Sequence, residues 1–388
     1  MSGKNDVYCD ACIEALMLAN ISLTQMRISD LLKRTPYGKS DTYAFDAVSE
    51  IQIRGCLERF DPDSVLVTEE LGQNFLDYWP SFSDIAFHPS VFFCDPADRS
   101  GYLVKFLESM EEKRGSEKFG AILAGRGALK RWEEVAFGPA SITGATAAIT
   151  CVRRGRIIFS VVLNYITQEI IVACSSGIVI MKLDGYNALK RDWPKLAEIL
   201  KRGKPIEFNP ISPESPWDNS KYFTAFLGSA HKTGYAENIR DSDILSEDDV
   251  NHFVRHREPG GPARILYLSS LQPAEEPIGF ILANGEKITE WIHWIPFVRF
   301  AKHGDRKALR LFEISQARPW TKDGILMATS PIYSVFHQFD GVVALDVNFL
   351  RRFPNPSRYR STLIVAPFDN EWVNHLTQQL CHREIIID

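Results

Sequence analysis

The 388-residue sequence is short of cysteine, carries no surplus of positive charge and contains no low-complexity tract or internal repeat. Its seven cysteines (Cys9, Cys12, Cys56, Cys94, Cys151, Cys174 and Cys381) are odd in number and scattered. That excludes a disulfide framework and points to reduced thiols. Cys9 and Cys12 form a lone CxxC with no second pair and no suitably placed histidines. They are expected to be buried helical thiols rather than zinc or redox ligands. No window reaches the roughly 18 apolar residues of a membrane span. The first ten residues, MSGKNDVYCD, include acids and no apolar h-region, so a cytoplasmic chain with no membrane partner is expected. Lys and Arg number 44 against 49 Asp and Glu, a net charge of −5, which gives no electrostatic reason to bind nucleic acid.

What is present is ordinary for a folded protein. Hydrophobic residues make up 45% and charged residues 24%, with 24 Gly and 21 Pro, which excludes disordered, collagenous and coiled-coil classes. The length accommodates two packed domains, or one large double-layered domain. Apolar residues recur at helical spacing from Asp6 to about Leu32, predicting one long helix, and again from about Ala44 to Phe60, where Pro62 closes the pattern. Short β runs follow at Ser64 to Thr68 and Val91 to Cys94, each followed at once by carboxylates. A charged helical insertion is expected over Tyr102 to Arg114, followed by a Gly-containing stretch to Phe137. Ala145 to Val152, Ile157 to Tyr165, Glu169 to Ala173 and Gly177 to Lys182 read as an antiparallel meander with a turn at Arg154-Gly155. The Pro-rich segment Lys201 to Asp218 marks a boundary, giving an N-terminal α+β domain over 1–204 and a C-terminal α/β domain over 205–388.

In the second half, strands are expected at Thr224 to Gly228, Ile265 to Leu268, Ile278 to Leu282, Gly341 to Leu345 and Thr362 to Ala366. Helices are expected at Glu247 to His256, Ser330 to Phe339 and Asn370 to Leu380, and a helix or an insertion at Glu290 to Ala301. The sum is a layered α/β protein. His252 and His256 stand at i, i+4 without the acid of a zinc HExxH, so a solvated face is the plainer reading. Gly120 to Lys130 lacks the GK[ST] ending of a phosphate loop. Trp291, His293, Trp294 and Phe297 form an aromatic cluster expected in a core or at a covered edge.

The chemistry concentrates in Glu69-Glu70 and Asp95-Pro96-Ala97-Asp98-Arg99-Ser100-Gly101. Mg²⁺ takes hard oxygen ligands, a few carboxylates completed by water and substrate phosphate, and these residues supply that ligand type. Pro96 is expected to fix a tight turn that turns both aspartates and the Ala97 carbonyl to one side. Should Arg99-Ser100-Gly101 open a helix, their amides form an anion site beside the metal. Taken singly, each feature has a commonplace reading: acids after strands as solvated turns, Asp46 as a helix N-terminal acid, Ser100 as a cap.

In order, Ser40-Asp41-Thr42 through Asp46 and Glu50, Val65 to Glu70, and Asp95 to Ser100 resemble the motifs of the lithium-sensitive, Mg²⁺-dependent phosphatases that include inositol monophosphatase and fructose-1,6-bisphosphatase. The strands from Ala148 to Ala173 resemble a further segment of that family. The resemblance implies a sugar-phosphatase type fold of alternating helix and sheet layers. It also implies hydrolysis of a small phosphorylated metabolite, of the inositol phosphate or sugar bisphosphate kind, and a homo-oligomer. By position, Glu70 and Asp95 with the Ala97 carbonyl match ligands of one metal, and Asp95 and Asp98 match ligands of a second. Asp46 and Ser100 match the pair that positions and activates the attacking water; Arg99, Ser100 and Gly101, at the expected helix opening, are the candidate phosphate contacts, with Arg99 either reaching the phosphate or crowding its cradle. A 3′-phosphoadenosine compound is a further substrate class compatible with the motifs.

Two departures stand out. Arg99 occupies the place of the signature glycine. Near Ser330-Pro331, where the family has one more carboxylate, stand Ala328 and Thr329, with Asp323 the nearest acid upstream. Two readings follow: Asp323 substitutes as a ligand, or the second metal is weak or absent and the enzyme is slow, altered or inactive, in the last case a non-catalytic relative acting as a binding or assembly subunit.

Overall fold

The computed structural model describes residues 3–37, 42–68, 70, 88–154, 156–184, 186 and 192–206, then His293, Pro296, Phe297, Phe300 and the short strands named below. These fall into two compact units. The first comprises Met1–Ile206, Gly260–Tyr267 and Ile292–Phe300, and the second the remainder.

The first unit opens with α1 (Gly3–Gln25), whose Cys9, Cys12, Ile13, Leu16 and Leu23 are buried. The single helix expected to Leu32 stops early. Arg27 is extended (φ −74°, ψ 150°), and α2 (Ile28–Leu31) starts afresh. The backbone accounts for the break: Ile28 N donates to Glu117 O at 3.1 Å and Phe119 N to Met26 O at 2.9 Å, so groups that would continue the helical ladder pair sideways with residues 117–119. A second correction concerns membrane spans. Asn5–Gln25 within α1 is long and apolar enough to cross a bilayer by length and composition. Cys9, Cys12, Ile13, Leu16, Met17 and Leu23 of this stretch are packed into the protein core, while Val7 is exposed. Helix α3 (Ala44–Phe60) matches the expected span and ends at Asp61, the residue before Pro62.

A seven-stranded sheet runs β1 (Val65–Thr68), β2 (Val91–Asp98), β3 (Thr146–Arg153), β4 (Arg156–Asn164), β5 (Glu169–Cys174), β6 (Gly177–Lys182) and β7 (Lys204–Pro205), adjacent in that order. The first pair is parallel. Strands β3 to β6 form the expected antiparallel meander, and β2 and β7 pair antiparallel with its two outer strands. Arg154, between β3 and β4, takes φ 50°.

One sheet face carries Phe92, Cys94, Ile149, Cys151, Phe159, Val161, Ile170, Val172 and Cys174, which share a core with α1 and α3. The alternate residues Phe93, Thr150 and Ser160 are fully buried as well. There His293 places Nδ1 2.7 Å from Thr150 Oγ1, which donates to Ser160 Oγ at 3.0 Å. Burial on both faces explains why β2 reads as a continuous apolar run, Val-Phe-Phe-Cys, instead of alternating. His293 and Phe297 are buried, as expected of the aromatic cluster, and the described residues of 290–301 are helical.

Between β2 and β3 lie α4 (Ser100–Arg114), α5 (Phe119–Leu123), α6 (Ala128–Ala136) and α7 (Ala140–Thr143). Trp132 of α6 is fully buried against Phe106, with ring centroids 5.5 Å apart, and its Nε1 donates to Thr143 Oγ1 at 3.1 Å. Helix α8 (Leu196–Arg202) precedes β7.

In the second unit, β8 (Phe223–Leu227), β9 (Val254–Arg255), β10 (Phe280–Asn284) and β13 (Arg310–Glu313) form a parallel sheet in the order β13-β10-β8-β9. Strands β11 (Lys302–His303) and β12 (Arg306–Lys307) pair antiparallel, as do β14 (Val342–Val343) and β15 (Ile364–Val365). Three of these strands fall inside or within two residues of the β runs read near 224, 278 and 341, and β15 falls inside the run from Thr362. The helix expected over Glu247 to His256 is corrected: Val254 and Arg255 occupy ladder positions beside Thr224 and Ala225. The rest of that span, with His252 and His256, lies outside the described residues. The expected strand at Ile265 to Leu268 and the helices at Ser330 to Phe339 and Asn370 to Leu380 lie outside the described residues. Together the described elements build the layered α/β class read from the sequence.

Candidate functional site

Strands β1 and β2 run parallel with Thr68 opposite Cys94, so Glu70, two residues past β1, and Asp95, the next residue of β2, lie at one end of this pair. Both carboxyl groups are withdrawn from solvent, as are Asp46 and Glu50 one turn apart on α3. Glu70 is held at two points. Its backbone N donates to Glu50 Oε2 at 2.7 Å, and Thr42 Oγ1 donates to its Oε2 at 2.5 Å. Glu50 is also an acceptor for Thr68 Oγ1 at 2.9 Å and Tyr37 OH at 3.0 Å. Burial nonetheless pushes the Glu50 carboxyl from the usual 4.5 up to about 7, the three hydrogen bonds opposing the shift. Asp46 caps α3, accepting from Tyr43 N at 3.3 Å.

The tight turn expected at Pro96 takes another form. β2 continues to Asp98, and its register against β3 passes from Asp95 opposite Ala148 to Asp98 opposite Thr146. Pro96 and Ala97 therefore share the space opposite Ala147 as a bulge, the place in a ladder where a residue without an N–H is accepted. Across this bulge Asp95 Oδ1 accepts from Ala97 N at 3.1 Å, and Tyr165 OH donates to Pro96 O at 3.0 Å. Ser49 Oγ lies 2.9 Å from the same phenol. Asp98 is half-buried.

Arg99 then turns left-handed (φ 66°, ψ 29°) and α4 begins at Ser100. A positive φ of this kind favours glycine. Here arginine takes the strain, and its guanidinium lies 4.5 Å from the centroid of the Tyr102 ring. Ser100 is half-buried and Gly101 exposed, both in the first helical turn, where amides lack helical acceptors. The structure thus brings Glu70 to α3 and places Asp95, Ala97, Asp98, Arg99, Ser100 and Gly101 in one bulge-to-helix passage. Asp323, Ala328, Thr329, Glu69, Ser40 and Asp41 lie outside the described residues.

Among the described residues no three His, Cys, Asp or Glu are gathered into a ready-made metal cage. Mg²⁺ does not require one, since it is commonly held by one or two carboxylates with water and substrate oxygens completing the octahedron. Carboxylates buried at one end of the sheet, with the Ala97 carbonyl, fit that mode of binding. The CxxC does not compete: Cys9 and Cys12 are fully buried in α1, and burial pushes both thiols well up.

Sequence reading did not single out Ser49, Tyr37, Thr68 or Tyr165 for the site. For the helix residues a signal existed: Asp46, Ser49 and Glu50 are polar residues at i, i+3 and i+4 on a helix side that is otherwise apolar.

No family model matches the chain, and no curated protein matches it. Solved structures do. CysQ from Bacteroides thetaiotaomicron, a bacterial member of the inositol monophosphatase family, is 14% identical over 69% of this chain and 77% of that one, with a TM-score of 0.40. An inositol monophosphatase from Zymomonas mobilis is 14% identical over 78% and 85%, with a TM-score of 0.42. Mycobacterium tuberculosis SuhB is 10% identical over 97% and 98%, with a TM-score of 0.42. The chain is similar to these proteins, and the chemistry that follows rests on its own residues.

Proposed function

We propose that this chain is a member of the inositol monophosphatase family that hydrolyses a small phosphate monoester, of the inositol phosphate or sugar bisphosphate kind, with Mg²⁺. The observation that carries the reading is the burial of Glu70 and Asp95 at one end of the parallel pair β1 and β2, with a helix N-terminus opening at Ser100, two residues past Asp98. Buried carboxylates without a cation are costly, whereas beside a divalent ion they are the ligands it requires. Glu70, Asp95, Asp98 and the Ala97 carbonyl would hold the metal. Bound there, Mg²⁺ supplies a lowered pKa for water and charge neutralisation on the phosphoryl oxygens.

The remaining roles belong to the chain itself. The amides of Ser100 and Gly101 donate to the phosphate, and the α4 dipole favours its charge. Arg99 adds a cation at the same end. Ser100 and Asp46 orient the attacking water, Asp46 accepting its proton. The small metabolite is the partner we assign, in a cytoplasmic homo-oligomer, with no nucleic acid and no membrane. A second reading, a non-catalytic relative serving as a binding subunit, is favoured by one observation: arginine stands at a left-handed position that glycine would occupy without strain.

Phosphate release from inositol phosphates, sugar phosphates, fructose-1,6-bisphosphate and 3′-phosphoadenosine compounds, with and without Mg²⁺, separates the two. Mg²⁺-dependent release abolished by Asp95→Asn is the expected result. No release from any compound, with the folded protein gaining no thermal stability from Mg²⁺, overturns the phosphatase reading in favour of the binding subunit.

A further inference from the structure

Tyr165 is fully buried just past the end of β4, far in sequence from every residue assigned above. Its phenol lies between two partners: the Pro96 carbonyl at 3.0 Å and Ser49 Oγ at 2.9 Å. A carbonyl only accepts, so the single phenolic proton goes to Pro96, and Ser49 must be the donor to the phenol oxygen. The result is a directed chain from α3 to the β2 bulge, Ser49 to Tyr165 to Pro96.

The Pro96 carbonyl and the Ala97 N–H belong to one planar peptide group, and its two ends point in opposite directions. Tyr165 takes the carbonyl end, and Asp95 Oδ1 takes the N–H end at 3.1 Å. Rotation of that peptide would break both bonds together. The orientation of the Asp95 carboxylate is therefore set by a peptide plane that a phenol on the neighbouring meander holds in place. Burial pushes the Tyr165 phenol up, the Ser49 hydrogen bond opposing and the nearby Asp95 and Asp46 adding to the rise, so the phenol keeps its proton.

We propose that Tyr165 is a positioning residue for the metal site: through the Pro96–Ala97 peptide it fixes the Asp95 carboxylate for Mg²⁺, and Ser49 in turn fixes Tyr165. This rests on the reading of Asp95 as a metal ligand. Groups that orient metal ligands change metal affinity when removed, typically by 10- to 100-fold.

The test uses Tyr165→Phe, which deletes one oxygen, together with Ser49→Ala and the double variant. Mg²⁺ binding in the presence of inorganic phosphate is measured by calorimetry, and phosphate release is followed as a function of Mg²⁺. Tyr165→Phe is expected to weaken Mg²⁺ binding about tenfold, while the substrate KM at saturating Mg²⁺ stays at the wild-type value. Ser49→Ala weakens binding less, and the double variant equals Tyr165→Phe alone, because the serine acts only through the phenol. A merely structural phenol would lower the melting temperature and leave Mg²⁺ affinity unmoved. That outcome overturns the proposal. Should Tyr165→Phe not fold, Ser49→Ala with unchanged Mg²⁺ affinity overturns it alone. A wild-type protein that binds no Mg²⁺ with phosphate overturns the metal reading itself, a failure visible before any variant is made.

Discussion

The backbone amide of Glu70 donates to Glu50 Oε2 at 2.7 Å, which ties the residue two positions past β1 to the middle of α3. Glu70 is thereby placed by its main chain, and its side chain is left to Thr42. Glu50 serves as the common acceptor for Glu70 N, Thr68 Oγ1 and Tyr37 OH. Glu50→Ala strands the first two donors in the interior, at about 1–3 kcal/mol for each buried group left without a partner. A loss of about 3 kcal/mol in unfolding free energy is expected, read from urea denaturation, with Glu50→Gln retaining part of it. A loss below about 1 kcal/mol would contradict the role of Glu50 as a shared acceptor.

Arg99 has a left-handed backbone and a guanidinium against Tyr102. Glycine would relieve roughly 1–2 kcal/mol of left-handed strain and would lose a ring contact of about 0.5–1 kcal/mol. Alanine would lose the contact and keep the strain. The expected order of melting temperatures is Arg99→Gly equal to or slightly above wild type, with Arg99→Ala lowest. Both variants should raise the KM for a phosphate monoester, since both remove the cation.

Gly144 precedes β3, and a Cβ there would run into the Ala140 carbonyl and the Asn164 amide. Asn164 cannot retreat: Nδ2 donates to Ala140 O at 2.9 Å, and Oδ1 accepts from Ile166 N at 2.9 Å and Thr167 N at 3.1 Å. Gly144→Ala is expected to cost about 2 kcal/mol or more, through overpacking and a disturbed turn. Differential scanning calorimetry against Gly127→Ala separates steric crowding from backbone strain, because Gly127 sits at φ 100° with open space around it.

The six described cysteines are all buried free thiols. Burial raises the thiols of Cys9, Cys12 and Cys151 above their ordinary value of 9.0. Below that pH both folded and unfolded chains keep these protons, and the contribution is constant. Above it the unfolded chain releases protons that the folded protein retains, so stability falls as pH climbs. Denaturant midpoints should be level from about pH 7 to 8 in this respect and decline beyond about 9. Iodoacetamide at pH 8 should label none of the six in the native protein and all of them in urea.

Local pattern carried much of this structure. The alternation of apolar stretches and turn residues from Ala145 to Lys182 is a property of neighbouring residues, and the meander followed it closely. Asp95 to Ser100 was legible for the same reason, as consecutive residues. What escaped was decided at a distance. Whether α1 continued past Gln25 depended on residues 117–119 offering their backbone to Met26 and Ile28. Val254 and Arg255 looked helical until β8 supplied a ladder. The bond from Tyr165 to Pro96 spans 69 positions, and nothing around Tyr165 announces it. Arg99 broke a local rule, since a left-handed site favours glycine, and it did so beside the acids proposed to carry the chemistry.

His293 reaches back to Thr150 across 143 positions, and the first unit includes residues 292–300 although its preceding main body ends at Ile206. On a ribosome adding about 10 residues per second, the strands that hold Thr150 and Ser160 emerge roughly ten seconds before the histidine that completes their polar chain. In the nascent protein, one face of a finished meander must wait for a piece of itself still to be made.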